Sequence, residues 1–268
     1  MIPEDRMVGL NPNIRFDRDT RLFISASSSP GNRGTFFYNH FFRELGLNAV
    51  YLARKISDAG ALTGSIRALG LAGCSVSMPM KSSVIPFLDA LDPLAERVGS
   101  VNTILSSNGL LTGFNTDVTG FVMPLKDRGL VPESVLIFGY GSVVSSVVAG
   151  LREINPGVRI EIEGRDPAMA SARASGLGVN RFSGKTPELF VNATPATEFP
   201  VELNEVVSRV RNRYELPVRP LCVVGDGHVN LISGDEMFKW QFLEQFRVYT
   251  GIEIDPERFN SAATLASL

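Results

Sequence analysis

Residues 134–151 limit the fold of this chain more than any other stretch. Ser134-Val135-Leu136-Ile137-Phe138 is an apolar run of the length of a buried strand, Gly139-Tyr140-Gly141 is a turn, and Ser142 opens the apolar segment Val143 to Leu151, which reads as a helix. A strand that passes through a glycine turn into an apolar helix predicts an α/β layer structure. It also seats an anion. The first N–H groups of such a helix have no intrahelical partner, and glycine lets a pyrophosphate approach the backbone closely. Gly139, Gly141 and Ser142 are therefore candidate contacts for a dinucleotide. Val144 stands where the third glycine of such a fingerprint is expected. A tight strand-to-helix turn without any nucleotide is the alternative reading.

A second constellation lies upstream. Ser75-Val76-Ser77-Met78-Pro79-Met80-Lys81, Ser100-Val101-Asn102-Thr103 and Gly113-Phe114-Asn115-Thr116-Asp117 set one lysine, amides, hydroxyls and one carboxylate in otherwise apolar sequence. That is the equipment for a polyhydroxylated small molecule. Oxidising a secondary alcohol needs a group that takes the hydroxyl proton while a cofactor takes the hydride, with nearby donors and acceptors fixing which hydroxyl reacts. Lys81 and Asp117 are the candidate pair, and which of them is nominally the base stays open. Each residue taken singly has a plainer reading: a solvated lysine, an N-cap for a helix starting near Val118, and a turn residue at Asn102.

Together the three runs resemble the shikimate dehydrogenase family. Ser-Val-Ser-Met-Pro-Met-Lys is similar to that family's Asn-Val-Thr-x-Pro-x-Lys, Ser-Val-Asn-Thr to its Ala-Val-Asn-Thr, and Gly-Phe-Asn-Thr-Asp to its Gly-x-Asn-Thr-Asp. Near the C-terminus Gly234-x-x-Met237-x-x-x-Gln241 resembles Gly-x-x-Met-x-x-x-Gln. The phrase Gly73-Cys74-Ser75-Val76-Ser77-Met78-Pro79 is most similar to the divergent shikimate dehydrogenase-like branch. The resemblance implies that Lys81 and Asp117 are catalytic, that Ser77, Asn102 and Gln241 bind substrate hydroxyls, and that Gly234 and Met237 lie beside the cofactor.

The family holds the substrate carboxylate with a Ser-x-Ser-Pro loop before the first helix. Here the motif points to Ser27 and Ser29 before Pro30, whereas the distance to the flanking strand and helix points to Asn32, Gly34 and Thr35. A loop between fixed elements has little freedom in where it presents side chains, so Asn32 and Thr35 are the expected contacts, with Arg33 as a charged fork. Either register alters the serine pair, so related acids such as quinate stand beside shikimate as expected substrates.

The 268 residues are 44% hydrophobic and 20% charged, with a formal net charge of −2. That is the composition of an ordinary globular chain of one large or two modest domains. There is no basic run interleaved with aromatics, which sets nucleic acid aside. No metal-ligand spacing surrounds Cys74, Cys222, His40 and His228, so no metal is expected and the cysteines read as free thiols of a reducing cytoplasm. The chain leads into the polar Pro3-Glu4-Asp5-Arg6, with no apolar run long enough for a signal or membrane span. The expectation is a cytoplasmic monomer or homodimer.

In order, Leu22 to Ser25 reads as a strand, Thr35 to Gly46 as a helix with Thr35 as N-cap, Asn48 to Ala53 as a strand and Ala61 to Leu69 as a helix. Val84 to Leu91 is expected to be helical. Ser106-Ser107-Asn108-Gly109 between apolar runs predicts a hairpin. After a connecting helix, Val118 to Leu130, the second α/β pattern begins. Its next strand, Val158 to Glu163, ends in Gly164-Arg165-Asp166. By resemblance Arg165 meets the 2′-phosphate of NADP, whereas Asp166 would suit the free hydroxyl of NAD. NADP is expected, with NAD open. Asn192-Ala193-Thr194-Pro195 resembles the family's strand end beside the cofactor. Between Thr194 and Gly234 the chain is shorter than that family. Val223 to Gly227 reads as a remnant strand, and Arg209 to Arg219 as a solvated helix face. Asp235 to Tyr249 is a helix packed on the first domain.

The expectation is thus two α/β domains flanking a cleft: a substrate domain of residues 1–116 and 235–268, and a Rossmann-like nucleotide domain of residues 117–234. The expected activity is an NAD(P)-dependent oxidoreductase passing hydride between NADP and a ring hydroxyl of shikimate, quinate or a similar cyclic polyol carboxylate. The altered loop, the missing glycine and the shortened segment motivate the competing expectation, a non-catalytic or regulatory ligand-binding protein on the same scaffold.

Overall fold

The computed structural model describes residues 16–196, 198–216 and 229–265. They form two six-stranded sheets with helices packed on them. The first sheet contains β1 (Arg21–Ser27), β2 (Ala49–Lys55), β3 (Gly73–Val76), β4 (Ala90–Leu91), β5 (Thr103–Ser107) and β6 (Leu110–Phe114) in the order β2-β1-β3-β5-β6-β4. β1 pairs parallel with β2 and β3, and β3-β5-β6 run antiparallel. The β5–β6 turn carries Asn108 and Gly109 at φ 51° and 81°, the two positive values that a primed hairpin turn demands.

On this sheet lie α1 (Arg33–Glu44) and α2 (Ala59–Leu69). The second sheet contains β7 (Ser134–Phe138), β8 (Arg159–Glu163), β9 (Asn180–Arg181), β10 (Leu189–Asn192), β11 (Asn212–Glu215) and β12 (Asn230–Ser233), all parallel, in the order β12-β11-β10-β7-β8-β9. Counted from β7 as strand one, this is 3-2-1-4-5-6, the strand order of dinucleotide-binding sheets, whose ligand crevice opens where the order reverses. Here the reversal falls between β7 and β10. The remaining helices are α3 (Pro93–Val98), α4 (Asp117–Lys126), α5 (Val143–Ile154), α6 (Pro167–Leu177), α7 (Val201–Ser208), α8 (Gly234–Thr250) and α9 (Pro256–Leu265).

The C-terminal helices return to the first sheet because that is where their aromatic stripe finds partners. Phe242, Phe246 and Tyr249 of α8 and Phe259 of α9 are buried with Phe23 of β1 and with Phe37, Tyr38, Phe41 and Phe42 of α1. Ring pairs such as Phe37 on Phe259 at 4.4 Å add to the burial. α8 starts at a full capping box: the Ser233 hydroxyl accepts from the Glu236 N–H, and the Glu236 carboxylate accepts from the Ser233 N–H. It crosses α4 at Gly120, where an added Cβ would stand 2.8 Å from both Gln241 Cβ and the Met237 carbonyl oxygen. Only glycine permits this approach.

Several expectations need correction. Val84 to Leu91 forms no α-helix: Ile85–Phe87 is a single 3-10 turn and Ala90–Leu91 is β4, paired with β6. Pro86 cannot donate within a helix, and the Asp89 carboxylate accepts the Leu111 N–H at 2.6 Å, drawing the chain onto the hairpin. The helix begins only at Pro93, capped by Asp92. α1 starts at Arg33 with Asn32 as N-cap, not at Thr35.

Residues 209–216 are not a helix face either, and residues 217–219 of that expectation lie outside the described residues. Within them Asn212–Glu215 is the buried strand β11, with Arg213 and Tyr214 inside. The tyrosine stacks on Phe121, and tertiary burial overrides the charge pattern there. The expected strand at residues 223–227, together with Cys222 and His228, lies outside the described residues. Among the described residues no helix is long and apolar enough to cross a membrane, and no His/Cys/Asp/Glu group is disposed to hold a metal.

Candidate active site

Lys81 follows β3 in a turn, Asn102 immediately precedes β5, and Asp117 is the first residue of α4. These three positions meet at one end of the inner strands β3, β5 and β6 of the first sheet. Lys81 Nζ donates to Asp117 Oδ2 at 2.6 Å, and Asn102 Nδ2 donates to Asp117 Oδ1 at 2.8 Å. Asp117 is 2% exposed, yet both of its oxygens are paired, as a buried carboxylate requires. Thr116, rather than Asp117, holds the N-cap position of α4. The carboxylate is thereby free to serve the lysine instead of the helix.

Asn102 is itself fully engaged. Its Oδ1 accepts from the Thr116 N–H at 2.9 Å and the Thr103 hydroxyl at 2.8 Å, and its two amide hydrogens go to Asp117 and to the Thr116 hydroxyl. Behind it stands Gln245, a residue that belongs to none of the sequence motifs. Gln245 Nε2 donates to Thr103 Oγ1 and to the Asn102 carbonyl, while its Oε1 accepts from the hydroxyls of Tyr38 and Ser75, each at 2.7 Å. Ser75 also meets Tyr51 Oη at 2.6 Å and Tyr249 Oη at 3.0 Å. Burial raises the pKa of all three tyrosines, so they stay protonated and act as donors. Only one signal in the sequence marks Gln245: it interrupts the buried aromatic stripe of Phe242, Phe246 and Tyr249.

The N-terminus of α1 borders this network. A Cβ on Gly34 would sit 3.3 Å from the Tyr51 ring, which places Asn32 to Thr35 beside the Ser75 network. Arg33 reaches α8, with Nη1 2.7 Å from Asp235 Oδ1 and its guanidinium 3.9 Å over the Phe238 ring. Burial lowers the Arg33 pKa, and Asp235 opposes that shift. The Thr35 hydroxyl is buried without a hydrogen-bond partner, and the Asn32 side chain makes no cap bond. In the competing register, Ser27 ends β1 as a buried residue and Ser29 is exposed. Ser77 is exposed just beyond β3. Gln241, half-buried, packs against Gly120, which is one helical turn after Asp117. α8 thus brings Gln241 to the same side of α4 as the ion pair.

The nucleotide-side residues gather at the reversal of the second sheet. Gly139 has φ +132°, and a Cβ there would lie 2.9 Å from Thr194 Cγ2 and 3.1 Å from the Ala193 carbonyl oxygen. The glycine turn and the end of β10 therefore press together. Gly141 has open space around it, and the Ser142 side chain makes no cap bond. No acidic residue stands in the first turn of α5. This is a cradle that fits an anionic dinucleotide. Val144, in place of the third glycine, is fully buried in the core. Arg173, also unforeseen, braces the turn from α6 by donating to the Gly141 carbonyl at 3.2 Å and to Ser145 Oγ at 2.6 Å.

Asn192 Oδ1 accepts from both the N–H and the hydroxyl of Thr194, and its amide donates to Glu215 at 2.8 Å. That locks the β10 exit. Past β8, Arg165 is exposed. Asp166 is spent as the N-cap of α6, accepting from Ala168 N and Met169 N, which directs its charge at the helix. Gly234 and Met237 are buried in the first turn of α8, Met237 within the core of the second sheet.

Known proteins resemble this chain in sequence and in fold. The family described as shikimate dehydrogenase substrate binding domain matches residues 24–104. A shikimate dehydrogenase-like protein of Haemophilus influenzae is 31% identical over 267 residues, covering 93% of this chain and 98% of that one. Among solved structures, a shikimate 5-dehydrogenase-like protein superposes with a TM-score of 0.82 at 30% identity, over 95% of this chain and 100% of the other. The Thermus thermophilus shikimate 5-dehydrogenase in complex with NADP(H) and shikimate superposes with a TM-score of 0.79 at 27% identity, over 92% and 99%.

Proposed function

The chain belongs to the shikimate dehydrogenase family, and on that premise we propose that it is an oxidoreductase moving hydride reversibly between NADP(H) and a ring hydroxyl of shikimate or a related cyclic polyol acid such as quinate. The observation that carries this reading is the pairing of Lys81 with the buried Asp117, 2.6 Å apart, beside the amide of Asn102 and the hydroxyl of Thr116. When bound, the nicotinamide supplies the hydride acceptor. Lys81 and Asp117 manage the proton. As the carbinol carbon gives up hydride, its hydroxyl proton passes into the Lys81–Asp117 pair, which shares it between nitrogen and carboxylate, and the reverse reaction returns it to the nascent alkoxide.

In this proposal Ser77 and Gln241 bind ring hydroxyls, and Asn102 reaches one by exchanging the Thr116 hydroxyl for it. Asn32, Thr35 and Arg33 receive the carboxylate; the unpartnered Thr35 hydroxyl and the open first turn of α1 support this. Gly139, Gly141 and Ser142 would hold the pyrophosphate, and Asn192, Thr194, Gly234 and Met237 would flank the nicotinamide side. Arg165 would take the 2′-phosphate of NADP. With Asp166 turned onto α6, its charge is no bar to that phosphate; an acceptor role toward the free hydroxyl of NAD is the alternative. The substrate domain would comprise residues 1–116 and 235–268, the nucleotide domain residues 117–234, and the working compartment would be the cytoplasm.

The test is a panel of shikimate, quinate and other cyclic hydroxy acids with NADP or NAD, followed by the absorbance of the reduced nicotinamide and, in parallel, by thermal melting. Turnover with at least one acid, faster with NADP, is expected. Ligands that raise Tm with no turnover on any acid would instead make this a binding protein on a dehydrogenase scaffold.

A further inference from the structure

The polar network behind the ion pair has a direction, and that direction can be worked out atom by atom. Ser75 has a single hydroxyl proton, and Gln245 Oε1 accepts it. Both Tyr51 and Tyr249 must therefore donate to Ser75. Gln245 Oε1 takes a second proton from Tyr38. The Asn102 backbone carbonyl can only accept, so the Gln245 amino group has to face it and Thr103, which leaves Oε1 for the Tyr38 and Ser75 hydroxyls. Thr103 Oγ1, now an acceptor from Gln245, has one proton left to give, and Asn102 Oδ1 lies 2.8 Å away. With its oxygen held by Thr103 and by the Thr116 N–H, the Asn102 amide presents its hydrogens to Asp117. Flipping the Gln245 amide would set its oxygen against the Asn102 carbonyl, and flipping the Asn102 amide would set its amino group against the Thr116 N–H.

We propose that Gln245 is a positioning residue, which through the Thr103 hydroxyl fixes the orientation of the Asn102 amide and hence the hydrogen bond that holds Asp117 toward Lys81. The proposal rests on the oxidoreductase reading only for its kinetic consequence, because the amide orientation exists with or without turnover. Gln245 is 4% exposed and all of its polar atoms are satisfied within the protein, so it acts through its neighbours. A buried network of this kind specifies one arrangement when complete and loses it when a link is cut. The donors that feed it come from α1, β2 and α8, elements far from Asp117 in sequence.

Three variants test the relay. Thr103→Val keeps the shape and removes the proton, Thr103→Ser keeps the proton, and Gln245→Glu keeps the acceptor end while replacing the donor to Thr103. In spectra of nitrogen-labelled protein, the Asn102 side-chain amide, assigned by its loss in Asn102→Asp, should shift in Thr103→Val and Gln245→Glu and stay in place in Thr103→Ser. In turnover, kcat should fall on the order of tenfold in Thr103→Val, the worth of about one hydrogen bond, with KM and NADPH affinity unchanged and Thr103→Ser restoring the rate.

An unmoved Asn102 amide in both Thr103→Val and Gln245→Glu overturns the proposal. So does a loss in which kcat, KM and Tm all change together and Thr103→Ser fails to restore them, since that is the mark of a packing role. If the unmodified protein turns over no acid while the amide still shifts, the positioning stands and the oxidoreductase reading falls.

Discussion

Lys81 and Asp117 are 36 positions apart and come from different elements, yet their polar atoms end 2.6 Å from each other. Their pairing was legible because both residues sit in short motifs that together resemble those of one family; taken singly, a lysine after a strand and an aspartate at a helix start have plainer readings. Gln245 was illegible for the opposite reason. Its partners Tyr38, Ser75 and Thr103 lie 207, 170 and 142 positions away, so only the folded chain reveals why a glutamine interrupts an aromatic stripe. If the ion pair carries the proton, Asp117→Asn, which preserves shape, should lower kcat by roughly a hundredfold or more. NADPH affinity, read by fluorescence quenching, should stay as it is; equal loss of both would make Asp117 a structural residue.

At the scale of elements, close approaches decide more than propensity does. The strand–turn–helix at β7 and α5 and the β5–β6 hairpin were readable from local chemistry, since glycine and Asn-Gly leave little choice. β4 and β11 were not, because burial against neighbouring strands determines them and the sequence around them is charged or helix-like. The α4–α8 crossing at Gly120 is the contact that sets Gln241 near Asp117. Gly120→Ala should push the helices apart, costing about 1–3 kcal/mol in chemical denaturation and raising KM more than it lowers kcat.

Asp89 is a pH-sensitive tie at β4. The Leu111 N–H and then Arg67 hold its carboxylate below the ordinary value of 3.8. Because the folded-state pKa is the lower one, the stabilisation is present above the unfolded value and disappears as pH falls through the folded value. Asp89→Asn should therefore show a lower urea midpoint than the unmodified protein at neutral pH, with the two curves converging in acid.

Across the whole molecule, the first sheet carries the proton-handling groups and the second carries a helix N-terminus without a side-chain cap at the reversal of its strand order. The alternation of strands and helices announced both layers, but the 3-2-1-4-5-6 order and the return of α8 and α9 to the first sheet depend on long-range pairing that no local pattern encodes. Gly139 stands at that reversal, and its positive φ and the closeness of Thr194 leave no room for a side chain. Gly139→Ala should raise the NADPH Kd by about tenfold or more, the result of strained backbone at the phosphate turn, with the far-ultraviolet dichroism unchanged.

A crystal soaked with shikimate and NADP tests the central claim most directly. The reacting hydroxyl is expected within hydrogen-bond reach of both Lys81 Nζ and the Asp117 carboxylate, with the nicotinamide on the opposite side of its carbon. A ligand bound elsewhere, or one whose hydroxyls meet neither group, would contradict it.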